Sequence, residues 1–162
     1  RNDFNEDTTL SRKKFKRLVS GEYVRLRSGY VIRADEVIKD GAGEIIELIC
    51  SYIPGTVGQD PPEGVRPRGV IPWVSATNSV DCDLYLYEKL FTAAAPDAGE
   101  GSFMDHLNPE SLQIVKQCKA ELGLAGAEVG QHFQFEREGY YAVDAVHSSP
   151  GKLVFNRTIA LR

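Results

Sequence analysis

The fold is decided by residues 23–52, YVRLRSGYVIRADEVIKDGAGEIIELICSY, in which apolar and polar side chains alternate with period two. The alternation covers Tyr23–Tyr30, Val31–Ile38 and Glu44–Tyr52, and it is typical of half-buried strands. Asp40-Gly41 separates the last two runs, and this dipeptide favours a tight hairpin turn because it accepts positive φ angles. The stretch therefore predicts a meander of antiparallel strands.

The same alternation recurs along the rest of the chain, so the fold class is predicted to be all-β with little helix. Further candidate strands are Gly69–Ala76, Cys82–Tyr87, Leu112–Cys118, Gln131–Arg137, Tyr140–Val146 and Leu153–Leu161. A short helix is a candidate over Leu10–Leu18. Loops rich in Pro, Gly or Ala are predicted over 54–67 and 93–108. Eight or nine short antiparallel strands suit small closed barrels, which remove exposed sheet edges.

The composition is that of a globular protein, with 42% hydrophobic and 26% charged residues among 162. No apolar run approaches the roughly 18 residues that a membrane span needs, and residues 1–7 are polar, so a cytoplasmic protein with no membrane partner is expected. Three cysteines without a Cys-x-x-Cys pair argue against a disulfide framework or a structural zinc site. Because the chain begins with Arg1, we expect a piece of a longer protein.

Basic residues cluster near the N-terminus, although the formal net charge of the chain is -4. Between Arg12 and Arg33 lie eight basic residues and one acid, so this window carries +7 and the rest of the chain -11. Affinity for phosphates follows local potential rather than net charge. The window is therefore interpreted either as an electrostatic footprint for a nucleic acid or as a solvated charged surface.

Two segments carry side chains suited to reading unpaired bases. On the strand around Val24, alternation places Tyr23, Arg25 and Arg27 on one face, where guanidinium forks and an aromatic ring form a platform for single-stranded nucleic acid. The alternative is a solvent-facing strand with ordinary surface arginines.

The second segment is the aromatic run Phe133–Tyr141. Strict alternation separates Gln134 from Arg137, so the strand must bend if both residues serve one site. The alternative is a plain hairpin with its aromatic rings in the core.

Signals for catalysis or metal binding are weak. Asp144, His147 and Ser148 are close in sequence, which leaves a small hydrolase as one hypothesis, but sequence proximity does not make a triad. His106 and His132 have no second histidine at metal-ligand spacing, so no metal site is expected. No glycine-rich phosphate loop of the Walker or Rossmann kind is present, so this segment is predicted to hold no cofactor.

Seven runs, in order, give the chain a likeness to a known family. They are Phe15–Leu18 (FKRL), Val24–Arg27 (VRLR), Gly69–Ala76 (GVIPWVSA), Leu84–Phe91 (LYLYEKLF), Asn108–Leu112 (NPESL), Phe133–Tyr140 (FQFEREGY) and Val154–Thr158 (VFNRT). With them the chain resembles the C-terminal anticodon-binding domain of bacterial glutaminyl-tRNA synthetases. The resemblance implies two small antiparallel β-barrels of the ribosomal protein L25-like type. The first would span residues 1–72, with the basic lead-in, and the second 73–162.

The resemblance also implies roles for individual residues. Lys16 and Arg17 match positions that recognise the third anticodon base, a guanine, and Arg25 and Arg27 match positions near the first base and its phosphate. The pocket for the central uracil is matched by Gln134 and Arg137. Pro72 stands where the family usually has histidine, and a further arginine of the central pocket is expected upstream of Arg1.

On this interpretation the fragment alone is not an enzyme. The implied parent is a glutamine–tRNA ligase whose upstream catalytic domain uses ATP with magnesium, and the implied partners are that domain and the anticodon loop of glutamine tRNA. A monomer is expected. Two alternatives stay open besides the hydrolase: the equivalent domain of a glutamyl-tRNA synthetase of the archaeal or eukaryotic type, and a ribosomal RNA-binding protein of the L25 type.

Overall fold

A computed structural model of the chain describes residues 3–11, 16–98 and 101–161. The chain forms two compact units, Arg1–Trp73 and Val74–Arg162. The prediction of an all-β fold is confirmed: the described residues form eleven strands and two short 3₁₀ helices, Phe103–His106 and Leu122–Leu124. Within these described ranges, no helix has the length and apolar composition needed to cross a membrane.

The first unit is built on a four-stranded sheet. The unit contains six strands: β1 (Phe4–Asn5), β2 (Leu18–Val19), β3 (Tyr23–Leu26), β4 (Val31–Lys39), β5 (Ile45–Ile53) and β6 (Val70–Ile71). The sheet has the order β5-β4-β3-β6, and β1 and β2 form a separate parallel pair. Alternation along β3 and β4 buries Val24 and Ala34, which pack with Phe4, Leu18 and Ile71 into one core.

The hairpin predicted around Asp40-Gly41 is confirmed, but its turn differs from the prediction. β4 and β5 pair antiparallel, and the positive φ angle, 85°, belongs to Gly43 rather than to Gly41. The Asp40 carboxylate accepts hydrogen bonds from the amides of Ala42 and Glu44, both at 2.9 Å. This side chain organises a longer loop than a two-residue turn.

The helix predicted over Leu10–Leu18 is wrong at its C-terminal end, where Leu18 and Val19 form β2. Leu18 pairs with Phe4, its amide donates to the Asp3 carbonyl at 3.0 Å, and its side chain is buried in the core. Tertiary burial thus overrides the local helical pattern. Residues 12–15 of the candidate lie outside the described residues.

The second unit is a five-stranded sheet with an aromatic core. Its strands, in the sheet order β8-β7-β11-β10-β9, are β7 (Ser79–Tyr87), β8 (Leu112–Glu121), β9 (His132–Phe135), β10 (Gly139–Val143) and β11 (Leu153–Ala160). The ring of Phe155 is fully buried and makes edge contacts with Phe133 and Phe135, at centroid distances of 6.1 and 5.2 Å. Tyr141 stacks on Phe135 at 4.4 Å.

The prediction of closed, purely antiparallel barrels is not met in the described part of the chain. In the four-stranded sheet the outer strands β5 and β6 do not pair with one another. In the five-stranded sheet the outer strands β8 and β9 do not pair either, so within the described residues neither sheet closes on itself. Three pairings are parallel: β1 with β2, β3 with β6 and β7 with β11. Parallel strands are joined by long crossover connections, so such neighbours lie far apart in the sequence. The alternation of side chains along one strand does not indicate which distant strand pairs with it.

Candidate nucleic-acid interface

Lys16 and Arg17 directly precede β2, whose pairing with β1 anchors the chain beside them. Lys16 is exposed and Arg17 is partly buried. The Arg17 Nε atom lies 3.1 Å from Asp3 Oδ1, and the next residue pairs with β1. The basic residues Arg12, Lys13 and Lys14, which the sequence places in the same window, lie outside the described residues.

Arg25 connects β3 to the loop rich in proline and glycine that follows β5. Its guanidinium donates to the main-chain carbonyls of Thr56 and, at 2.7 Å, of Gln59. The hydroxyl of Thr56 is buried, donates to the Ile53 carbonyl at 2.6 Å and accepts from the Val31 amide at 3.0 Å. Arg25 and Thr56 therefore order this loop.

The role of Thr56 was missed by reasoning from the sequence. Only the punctuation by proline and glycine marks this loop, and that pattern predicts no pairing with β3. The hydrogen bond from Arg25 to the Thr56 carbonyl forms because the fold brings residues 25 and 56 together.

Arg27 does not belong to the strand that was predicted to carry it. β3 ends at Leu26, and Ser28 has a φ of 53°, so Arg27 opens a turn. Its amide donates to the Ile71 carbonyl at 2.9 Å, and its own carbonyl accepts from Trp73 Nε1 at 3.0 Å. The main chain of Arg27 is thus fixed on both sides, while its side chain is exposed.

The bend required between Gln134 and Arg137 is present. β9 ends at Phe135, and a turn over residues 136–138 gives Arg137 a φ of 61°. Phe133 and Phe135 pack into the core, so alternation leaves Gln134 exposed on the other face. Arg137 is also exposed, with its Nε 3.8 Å from Glu136 Oε1. The hairpin therefore presents both side chains at one end of β9.

The geometry around Asp144 does not support a hydrolytic triad. The Ser148 hydroxyl is engaged with the main chain of Val154, donating to its carbonyl and accepting from its amide, both at 3.1 Å. Asp144 is buried and accepts from the amides of Val146 and His147 and from His147 Nδ1, at 2.8, 2.5 and 3.0 Å. These contacts make Asp144 the organiser of a turn.

We expect Asp144→Ala to lower the free energy of unfolding by about 2 kcal/mol at pH 7. Burial acts to raise the pKa of Asp144, but hydrogen bonds from the His147 amide, the Asn156 side chain and the Val146 amide outweigh it and lower the pKa to about 2. A lowered pKa gives stability that is present above pH 4 and is lost as the pH falls towards 2.

Urea unfolding at several pH values checks this prediction. The difference between the native chain and the Asp144→Ala variant is expected to shrink below pH 4, whereas Asp97→Ala, at an exposed loop position, is expected to have little effect. A difference that is constant from pH 7 to pH 2 would contradict the assigned role of the carboxylate.

Two family models match the chain, over residues 1–53 and 70–144, and both describe tRNA synthetases class I (E and Q), anti-codon binding domain. The chain is 55% identical over 150 residues to a glutamine–tRNA ligase of Ectopseudomonas mendocina, covering 91% of this chain and 27% of the relative. It is 51% identical over 164 residues to the glutamine–tRNA ligase of Pseudomonas putida, covering 100% and 28%. The chain thus spans about a quarter of the length of these relatives.

Proposed function

Since this chain belongs to the family of anticodon-binding domains of class I tRNA synthetases for glutamate and glutamine, we propose that it reads the anticodon loop of glutamine tRNA. The names of the similar relatives favour glutamine over glutamate. One observation carries the proposal: the assigned side chains of Lys16, Arg27, Gln134 and Arg137 are exposed. Each lies in or close to a strand or turn whose main chain is hydrogen-bonded. Proteins read splayed RNA bases with side chains of this kind, through hydrogen bonds to base edges.

The proposed contacts follow from the chemistry of each side chain. The guanidinium of Arg17 offers a fork that suits O6 and N7 of guanine, the third anticodon base, and Lys16 adds positive charge beside it. The amide of Gln134 can both donate to and accept from the edge of the central uracil, and Arg137 supplies further donors. Arg27 is assigned to the first base and its phosphate. Arg25 shares that assignment, and its contacts with the loop add a supporting role.

We propose that the whole protein is a cytoplasmic, monomeric glutamine–tRNA ligase. Its catalytic part would use ATP with magnesium to join glutamine to the tRNA, and this segment would check the anticodon at a distance from that reaction. The segment itself would contribute recognition and no catalytic group.

Titration of the 162-residue chain with labelled anticodon stem-loops tests the proposal. The set contains the glutamine stem-loop, versions changed at the central or the third base, and a glutamate stem-loop, each at two salt concentrations. We expect tighter, salt-sensitive binding to the glutamine loop. Binding without discrimination would reduce the function to phosphate contact, and preference for the glutamate loop would move the assignment to the other amino acid.

In the same titration, Arg17→Ala is expected to weaken discrimination at the third base by about 1–3 kcal/mol and to leave discrimination at the central base unchanged. Arg33→Ala is a matched control, because Arg33 is an exposed arginine of the same unit that pairs with Asp35 at 2.6 Å. Equal losses with all stem-loops would show that Arg17 only holds phosphate.

A further inference from the structure

We infer that Arg68 and Gly69, which precede β6, form a support that positions Lys16 and Arg17 for reading the third anticodon base. Both residues are positioning residues, and neither is proposed to touch RNA. The inference rests on the proposed function and adds a mechanism by which the first unit controls that contact. Two independent features, a buried guanidinium and a close main-chain approach, point to it.

The first feature is the burial of Arg68, whose side chain is 1% exposed. Its Nη1 lies 2.9 Å from Glu22 Oε1, and its Nη2 donates to the carbonyl of Leu10 at 2.6 Å. A charged group taken out of water is costly unless it is paired and hydrogen-bonded. Arg68 meets this requirement with partners from two segments, so it ties the main chain at Leu10 to the start of β3.

The second feature is the contact between Gly69 and Lys16. A Cβ atom added to Gly69 would lie 2.4 Å from the carbonyl oxygen of Lys16 and 3.1 Å from its Cβ. The φ angle of Gly69 is not positive, so the space, and not the backbone conformation, requires glycine here. Close approach of two main chains therefore sets the position of Lys16.

The support is itself fixed to the sheet. The Arg68 amide donates to the Tyr23 carbonyl at 2.8 Å, and the Gly69 carbonyl accepts from the Arg25 amide at 3.0 Å. Leu10 and Lys16 are the two ends of the segment in which the sequence places Arg12, Lys13 and Lys14. Arg68 holds one end and Gly69 contacts the other, so both ends are held by the residues that lead into β6.

Gly69→Ala tests the support, with Gly41→Ala as the matched control. Gly41 lies in the same unit with no positive φ, and an added Cβ there would meet nothing within 4 Å. We expect Gly69→Ala to reduce third-base discrimination roughly tenfold in the stem-loop titration, because a base-edge contact depends on exact placement of the fork. Discrimination at the central base is expected to stay unchanged, as is all binding by Gly41→Ala.

Arg68→Lys is the second variant, for the case in which Gly69→Ala does not fold. Lysine keeps the charge beside Glu22 but lacks the fork that reaches the Leu10 carbonyl as well. We expect a folded chain with the same selective loss at the third base. A folded variant that loses discrimination equally at both bases, or at neither, would overturn the inference.

Amide hydrogen exchange separates this inference from the proposed function. Exchange at the Leu18 amide, which bonds to the Asp3 carbonyl, is expected to be faster in Gly69→Ala or Arg68→Lys than in Gly41→Ala. If the native chain shows no stem-loop discrimination, the proposed function fails. The exchange rate of the Leu18 amide still tests whether Arg68 and Gly69 hold the main chain next to Lys16 and Arg17. Unchanged exchange in folded variants would overturn the support even if the native chain reads the anticodon.

Discussion

Replacing Arg68 by methionine is expected to lower the free energy of unfolding of the first unit by about 2–3 kcal/mol. The substitution removes the buried partner of an ion pair whose other member, Glu22, is 30% exposed, and it removes the donor to the Leu10 carbonyl. Hydrogen bonds to a charged group contribute more than neutral ones, and Arg68 makes two of them from a buried position, so the loss exceeds that of a surface substitution.

The stability of the first unit can be measured by the fluorescence of Trp73, because Trp73 is the one tryptophan in the sequence and belongs to this unit. Its fluorescence during urea unfolding reports on this unit, since its indole nitrogen donates to the Arg27 carbonyl. Arg66→Met is the control: Arg66 lies in the same loop and is exposed, so a loss below about 0.5 kcal/mol is expected. Equal effects of the two substitutions would mean that burial gives Arg68 no special role.

Phe155→Ala is expected to lower the free energy of unfolding of the second unit by about 3–5 kcal/mol. Phe155 has no exposed surface and contacts both inward-facing aromatic rings of β9, Phe133 and Phe135. Removing its ring leaves a cavity between β11 and β9. We therefore also expect weaker discrimination at the central anticodon base, because β9 carries Gln134.

The effect of Phe155→Ala is measured by near-ultraviolet circular dichroism and by amide hydrogen exchange in β9 and β10. Ile159→Ala is the control on the same strand, since Ile159 is 59% exposed and buries little surface to lose. Its expected loss is below about 1 kcal/mol. Loss of stability without faster exchange in β9 would separate the core from the reading hairpin and contradict the link to Gln134.

Much of the fold could be predicted from local patterns. Alternation placed Val24 in the core and Gln134 opposite Phe133 and Phe135, because a strand sends successive side chains to opposite faces. The same alternation required a bend before Arg137, which the turn after Phe135 provides. It failed at Leu18, where burial against Phe4 overrode a helical pattern.

The candidate site could be predicted only in part. Residue chemistry singled out the arginines near Val24 and the aromatic hairpin, whereas the assignment of Lys16 and Arg17 to one base came from resemblance to a family. These assignments stay predictions until the titrations are made. The Thr56 contact of Arg25 left no signal in the sequence, since a threonine in a loop has many equivalent uses.

The fold class, the hairpin around Asp40 and the side chains that face inward follow from local patterns of residues. Long-range packing sets which distant strands are neighbours, such as β3 with β6. It also sets the burial of Arg68 and the approach of Gly69 to Lys16. The physical reason is the distance along the chain over which each effect acts. Alternation involves only a few neighbouring residues, and it determines which face of a strand each side chain occupies. The partner at each strand edge depends on packing between segments some fifty residues apart, and no local pattern contains it.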